Sequence, residues 1–348
     1  MTTRRVAAID CGTNSIRLLI ADINSKTEVD IERTVGSTDG PAPLTDVARE
    51  MRIVRLGEGV DRTGRLSEAA LDRTMTALRE YAALIEAAAL SPGMGGSSPP
   101  FPPEATRMVA TSATRDAANA QEFTDRVVAV LGVAPEVISG DAEARLSFTG
   151  ATRELFGTPL GEGACQPPYL VTDIGGGSTE FVLGGPEAAG EGGRVIGRSV
   201  NIGCVRLTER HLRTDPPRPA EIAATTADID AALQEAAASV PVPEARTLVG
   251  LAGSVTTVAA IALGLQEYDS ARIHHSRVPA ARVHEIALEL LAMTRAERAA
   301  IPAMHPGRVD VIGAGALILD RIMTRFGFAE VLVSEHDILD GIAWSLVP

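Results

Sequence analysis

The stretch VTDIGGGSTEF, residues 171–181, repeats in outline the stretch VAAIDCGTNSIRLL, residues 6–19, and this repetition constrains the fold more than any other feature. In each, an apolar run ends on an aspartate, Asp10 or Asp173, crosses small residues and resumes as a second apolar run. Glycine and short polar side chains between two such runs predict a tight hairpin. A second pair follows in the same order. VATSATRDAAN from Val109 and GLAGSVTTVAA from Gly250 each lead from a strand through a small-residue turn into a helix. Two halves, each with a hairpin and then a strand–helix turn, predict a duplicated α/β domain whose cleft is lined by all four turns.

The rest of the chain fits that plan. Short apolar runs predict strands at 6–9, 16–21, 107–110, 136–138, 170–172, 181–183, 248–251 and 331–333. Helical periodicity covers 69–89, 120–131, 222–238, 283–291 and 314–325. Such alternation is the mark of an α/β architecture, and 348 residues suit two domains better than one core. The segments SPGMGGSSPPFPP and GGPEAAGEGGR are expected to be flexible surface insertions.

Composition narrows the chemistry. A net charge of −13 argues against DNA and against membrane surfaces, so an anionic ligand needs a local patch. Lys26 is the only lysine, which excludes a Walker Gly-Lys-Ser/Thr loop, and its polar surroundings make it a poor nucleophile. Cys11, Cys165 and Cys204 are scattered and suit neither a disulfide framework nor a thiolate zinc site. The first strand begins with no apolar signal region before it, and a cytoplasmic location is expected.

Small-residue turns let backbone N–H groups converge, and glycine lets a ligand approach them closely. Such turns, with hydroxyls and helix N-termini, suit phosphate oxygens. Asp10 and Asp173 would repel bare phosphate, but a hard divalent cation between them reverses the sign. Taken singly, either hairpin is an ordinary turn in which the aspartate caps its own backbone; the matched pair favours a site. Glu180 stands within reach of the same cation or serves as a plain strand residue. In ISGDAEARLSF, Asp141 and Glu143 lie where the helix macrodipole favours acids, and the functional alternative makes Glu143 a general base. Arg115 is either a surface arginine or a bidentate phosphate fork. Adjacent His274 and His275 should diverge and make a poor chelate, and His336-Asp337 is read as structural.

These residues resemble the exopolyphosphatase and guanosine-pentaphosphate phosphatase (Ppx/GppA) family over almost the whole chain. The resemblance is carried by AAIDCGTNSIRLLI, RLGEGVDRTGRLS, ATSATRDAAN, VISGDAEARLSF, VTDIGGGSTEFVLG, NIGCVRLTER, GLAGSVTTVAA and HPGRVDVIGAGALIL. It implies the duplicated actin-like (ribonuclease H-like) fold, with one lobe at 1–145, a second at 146–335, and the segment 336–348 packing back on the first. The hinge would lie near the SGDAEAR helix. It also implies Mg²⁺-dependent removal of a terminal phosphate, with Mn²⁺ as a substitute. Glu143 would be the base, and Asp173, Glu180 and Asp10 the metal set. Phosphate contacts would fall on Gly12, Thr13, Asn14, Ser15, Arg115, Gly175, Gly176, Gly177 and Ser178. Gly253 and Ser254 would form a further ligand loop. Longer members add a helical His-Asp domain, which this sequence lacks. With the acidic net charge, that favours short polyphosphate or a guanosine polyphosphate nucleotide over long polymer. An acceptor-dependent kinase of the same fold and an alarmone-binding sensor are the alternatives. Members of the family are often homodimers, although no interface signature stands out here.

Overall fold

The computed structural model describes residues 2–25, 44–90, 105–153, 155, 165–185 and 195–347. Segment 91–103, most of 184–194, and Lys26 lie outside the described residues. The first sheet has five strands in the order β3-β2-β1-β4-β5: Thr2–Cys11 (β1), Ser15–Ser25 (β2), Leu44–Ile53 (β3), Thr106–Ala110 (β4) and Glu136–Val137 (β5). The second has six in the order β10-β11-β9-β6-β7-β8: Tyr169–Ile174 (β6), Thr179–Gly184 (β7), Ile196–Val200 (β8), Thr247–Leu251 (β9), Arg277–Pro279 (β10) and Glu330–Val333 (β11).

The longer helices are Glu68–Leu90 (α1), Ala120–Leu131 (α2), Gly140–Thr152 (α3), Cys204–His211 (α4), Pro219–Ser239 (α5), Ala252–Ala262 (α6), Ala280–Ala292 (α7), Ile312–Phe326 (α8) and Ile338–Trp344 (α9). In each sheet an antiparallel hairpin, β1–β2 or β6–β7, is flanked by a parallel strand, β4 beside β1 and β9 beside β6. The sequence repeat is therefore a repeat of topology.

β3 escaped the periodicity reading because it is an edge strand with exposed charges, and its pairing to β2 shifts register near Ile20 and Ala21. β6 and β7 are buried along their whole length, which is why they read as continuous apolar runs.

Each sheet has its own apolar core. Ile9, Leu18, Leu71, Tyr81 and Phe123 pack together on one face of the first sheet. Leu170, Phe181, Leu233, Val255 and Ile318 do so in the second. The other face of the first sheet, at Val6, Ala8, Leu19 and Val109, is covered by Ile338, Leu339, Ile342 and Trp344 of α9. α3 joins the two halves: Ala144 and Phe148 pack with Val171 and Val182 of the second sheet. It meets α9 at bare backbone. A β-carbon on Gly150 would lie 1.8 Å from Asp337 O, and one on Gly341 2.0 Å from Leu146 O.

One local expectation fails. His274 and His275 do not diverge; their rings stack with centroids 3.7 Å apart, and His336 adds a ring 4.6 Å from His274. His275 has φ 60°, a left-handed turn that breaks the alternation on which the expectation rested.

Candidate active site

The two hairpins close in the same way. Gly12 N–H donates to Ser15 O at 3.0 Å, and Gly175 N–H donates to Ser178 O at 3.0 Å. Asp10 stands opposite Arg17 across the first hairpin, and Asp173 opposite Glu180 across the second. The strand–helix turns arrive beside them because β4 and β9 run parallel to β1 and β6. Thr13 Oγ1 and Ser112 Oγ, both of the first lobe, are 3.0 Å apart, and Gly177 of the second lobe comes up against them. A β-carbon on Gly177 would lie 2.7 Å from each of those oxygens, so only glycine admits this approach.

Between them lies a cavity of about 100 Å³. Gly12, Thr13, Asn14 and Ser15 form one wall, and Gly175, Gly176 and Ser178 another. Asp10, Asp173 and Glu143 line it, with Gly253 and Ser254 from the fourth turn. Three of the expected residues stand behind the wall. Glu180 accepts from Ser199 Oγ at 2.6 Å, and Gly177 is packed under Thr13. Arg115 donates through Nη1 to Ile138 O at 2.8 Å and to Glu143 Oε2 at 3.3 Å. Here its guanidinium holds Glu143.

Glu143 sits in the first turn of α3, whose N-cap Ser139 accepts from Ala142 N–H at 3.2 Å. Its helix reaches the second hairpin a turn later, where Ser147 Oγ donates to Asp173 Oδ2 at 2.9 Å. Asp10, Asp173, Glu143 and Glu180 are all buried, at 4%, 7%, 8% and 1% exposure, so four acids share one poorly solvated region.

Burial, then the neighbouring carboxylates, pushes their protons on. Burial and Glu180 hold Glu143 well above the ordinary carboxylate range, while Arg115 opposes them. Asp173 is pushed up to about 6 by burial and Asp337, and Glu180 to about 8 by burial and Asp173. Asp10 is raised by burial, against the pull of Arg17. Carboxylates packed this closely raise one another's proton affinity.

The donor set fits magnesium. Asp10 Oδ1 and Asn14 Oδ1 are buried without a hydrogen-bond partner, and both residues line the cavity. They are hard oxygen donors. Among the described residues no three acidic, histidine or cysteine side chains form a metal cage by themselves. Mg²⁺ needs no such cage, since it is commonly held through one or two carboxylates with substrate phosphate and water.

Two cavity-lining arginines went unnoticed in the sequence. Arg17 donates through Nε and Nη2 to Asp10 Oδ2, at 3.1 and 2.6 Å, and through Nη1 to Asp337 Oδ2. Its cross-strand position opposite Asp10 was the available signal. Arg308 donates to Thr257 Oγ1 at 2.8 Å and also borders an adjoining cavity of about 350 Å³. Its HPGR setting gave no local sign of that placement.

A duplicated hairpin-and-strand unit in each lobe, closing on a glycine-walled acidic cavity, defines a two-lobed actin-like protein built to handle phosphoryl groups. The chain belongs to the Ppx/GppA phosphatase family, whose model matches residues 34–348, and it is an enzyme of that hydrolase class. It is 47% identical to exopolyphosphatase 2 of Mycobacterium tuberculosis, over 99% of both chains. It is 28% identical to the guanosine-5'-triphosphate,3'-diphosphate pyrophosphatase of Aeromonas salmonicida, over 98% of this chain and 59% of that protein. The crystal structure of an exopolyphosphatase-like protein, 40% identical, superposes with a TM-score of 0.82 over 98% of both chains. The Aquifex aeolicus family member, 28% identical, does so at 0.71 over 99% of this chain and 98% of its own. No helix among the described residues is long and apolar enough to cross a membrane.

Proposed function

We propose that this chain is a Mg²⁺-dependent phosphohydrolase that removes the terminal phosphate from short inorganic polyphosphate, from guanosine pentaphosphate, or from both. One observation carries the reading: Glu143 lines the same small cavity as both glycine hairpins and both hairpin aspartates. Backbone N–H groups of the turns at 13–15 and 176–178 receive the terminal phosphoryl oxygens. Glu143 Oε accepts the proton of a water aimed in line at phosphorus, and Arg115 fixes the orientation of that carboxylate. Burial and the neighbouring Glu180 raise the proton affinity of this carboxylate above that of an ordinary one, which strengthens it as a proton acceptor.

Asp10, Asp173 and Asn14 would hold Mg²⁺, with Glu180 supporting from behind. When bound, the cation neutralises phosphoryl charge and makes a wall of carboxylates compatible with an anionic substrate. The acidic net charge favours a short anhydride end over a long polymer laid across the protein. The relatives named for polyphosphate and for guanosine polyphosphate frame the choice of test substrates.

The experiment is phosphate release with Mg²⁺ from short and long polyphosphate, guanosine pentaphosphate and ATP. Release from a short polyphosphate or the pentaphosphate without any acceptor supports the reading. Release that requires an added hydroxyl or carboxylate acceptor would replace it with a kinase.

A further inference from the structure

Asp337 had no assigned part in the chemistry. It begins α9, which the chain reaches more than 300 residues after the first hairpin, yet it shares a guanidinium with Asp10. A guanidinium and a carboxylate favour a two-pronged fork, with two N–H groups on two oxygens. Arg17 does not make that fork. Its Nε and Nη2 converge on Asp10 Oδ2 alone, while Nη1 is taken by Asp337 Oδ2. Asp10 Oδ1 is thereby left buried and without a partner. A buried carboxylate oxygen in that state is unfavourable unless something else arrives to meet it.

Asp337 is itself fixed from other directions. Its Oδ1 accepts from Leu339 N–H at 3.0 Å as the cap of α9, and its N–H donates to Asp340 Oδ2 at 3.0 Å. Its carbonyl lies against Gly150 of α3. The position of Nη1 is thus set by a rigid neighbour and not by Arg17 alone.

We infer that Asp337 is a positioning residue: by holding Arg17 Nη1, it keeps the fork off Asp10 Oδ1 and leaves that oxygen as a ready ligand for a divalent cation. This rests on the cation reading above. Outer partners of metal ligands commonly change affinity by about 10–100-fold.

The test uses the full chain and Mn²⁺ alone, followed by electron paramagnetic resonance, with Asp10→Asn marking the site. Asp337→Ser is the informative variant, since serine caps a helix well but is too short to reach Arg17. Its Mn²⁺ dissociation constant should rise about 10-fold with melting temperature near that of the parent, and saturating Mn²⁺ should recover kcat. Arg17→Met should not show that loss, because without the guanidinium nothing is left to cover Asp10 Oδ1 and a positive charge is gone from beside the ligand. Parental Mn²⁺ affinity in Asp337→Ser, or an equal loss in Arg17→Met, overturns the positioning role while leaving the cation reading in place. Equal Mn²⁺ binding by the parent and Asp10→Asn removes the cation reading, and the positioning role falls with it.

Discussion

Gly176 of the second hairpin lies against Thr13 of the first, so closely that a β-carbon on Gly176 would stand 2.9 Å from Thr13 Cβ. The two lobes therefore meet loop against loop at the wall of the cavity. Gly176→Ala should push the hairpins apart by a few tenths of an ångström. Misplacement on that scale is felt strongly in phosphoryl transfer, and we expect kcat/KM for phosphate release to fall about 10–100-fold in a folded protein. Circular dichroism and steady-state kinetics together check it. Unchanged kinetics would mean that loop convergence does not matter to turnover.

The crossing of α3 and α9 makes a separate prediction about stability. Gly150→Ala places a methyl group within 1.8 Å of the Asp337 carbonyl, where neither backbone can move freely. Overpacking of this kind costs about 1–3 kcal/mol, and more when backbone is struck. A urea melt should show the midpoint moving down. Because Glu143 rides on α3, activity should also decline in the folded fraction.

The pH dependence of the metal-free protein has a definite sign. Asp173 and Glu180 hold their protons up to about 6 and about 8 in the folded state, and Glu143 is raised too. Unfolded carboxylates release theirs near 4. The folded chain thus binds more protons than the unfolded one across that interval, so the contribution of these groups is complete at the acid end. It is lost as pH rises through about 6 and then about 8. In EDTA, melting temperature should fall between about pH 5 and pH 8.5, and added Mg²⁺ should raise it most at the alkaline end. A metal-free protein that grows steadily more stable over that range would count against the clustered acids.

Arg115 was expected to meet phosphate directly but reaches Glu143 and the Ile138 carbonyl. Replacing it by methionine should leave the base unoriented and lower kcat more than it raises KM. The opposite split, a large rise in KM with kcat preserved, would return Arg115 to the role of phosphate ligand.

What the sequence made legible follows from locality. Each hairpin is written in consecutive residues, so apolar alternation, glycine and the aspartate sufficed to place β1–β2 and β6–β7 and to draw Asp10 and Asp173 to one cleft. The N-terminal turn of α3, with Ser139 before Glu143, is local in the same way. Contacts between distant segments left no trace. Arg17 and Asp337 are 320 positions apart, and neither residue's surroundings hint at the other. Ser147 and Ser199, which hold Asp173 and Glu180, look like ordinary helix and strand serines. β3 and β10 went unread because an exposed edge and a three-residue strand carry too little pattern.

The most direct test of the account is Glu143→Gln, which keeps the shape of the side chain and removes its ability to take a proton. Phosphate release should drop at least ~10²-fold in kcat, with KM, melting temperature and Mn²⁺ affinity close to those of the parent. Turnover at the parental rate in that purified variant would contradict the assignment of Glu143 as the base.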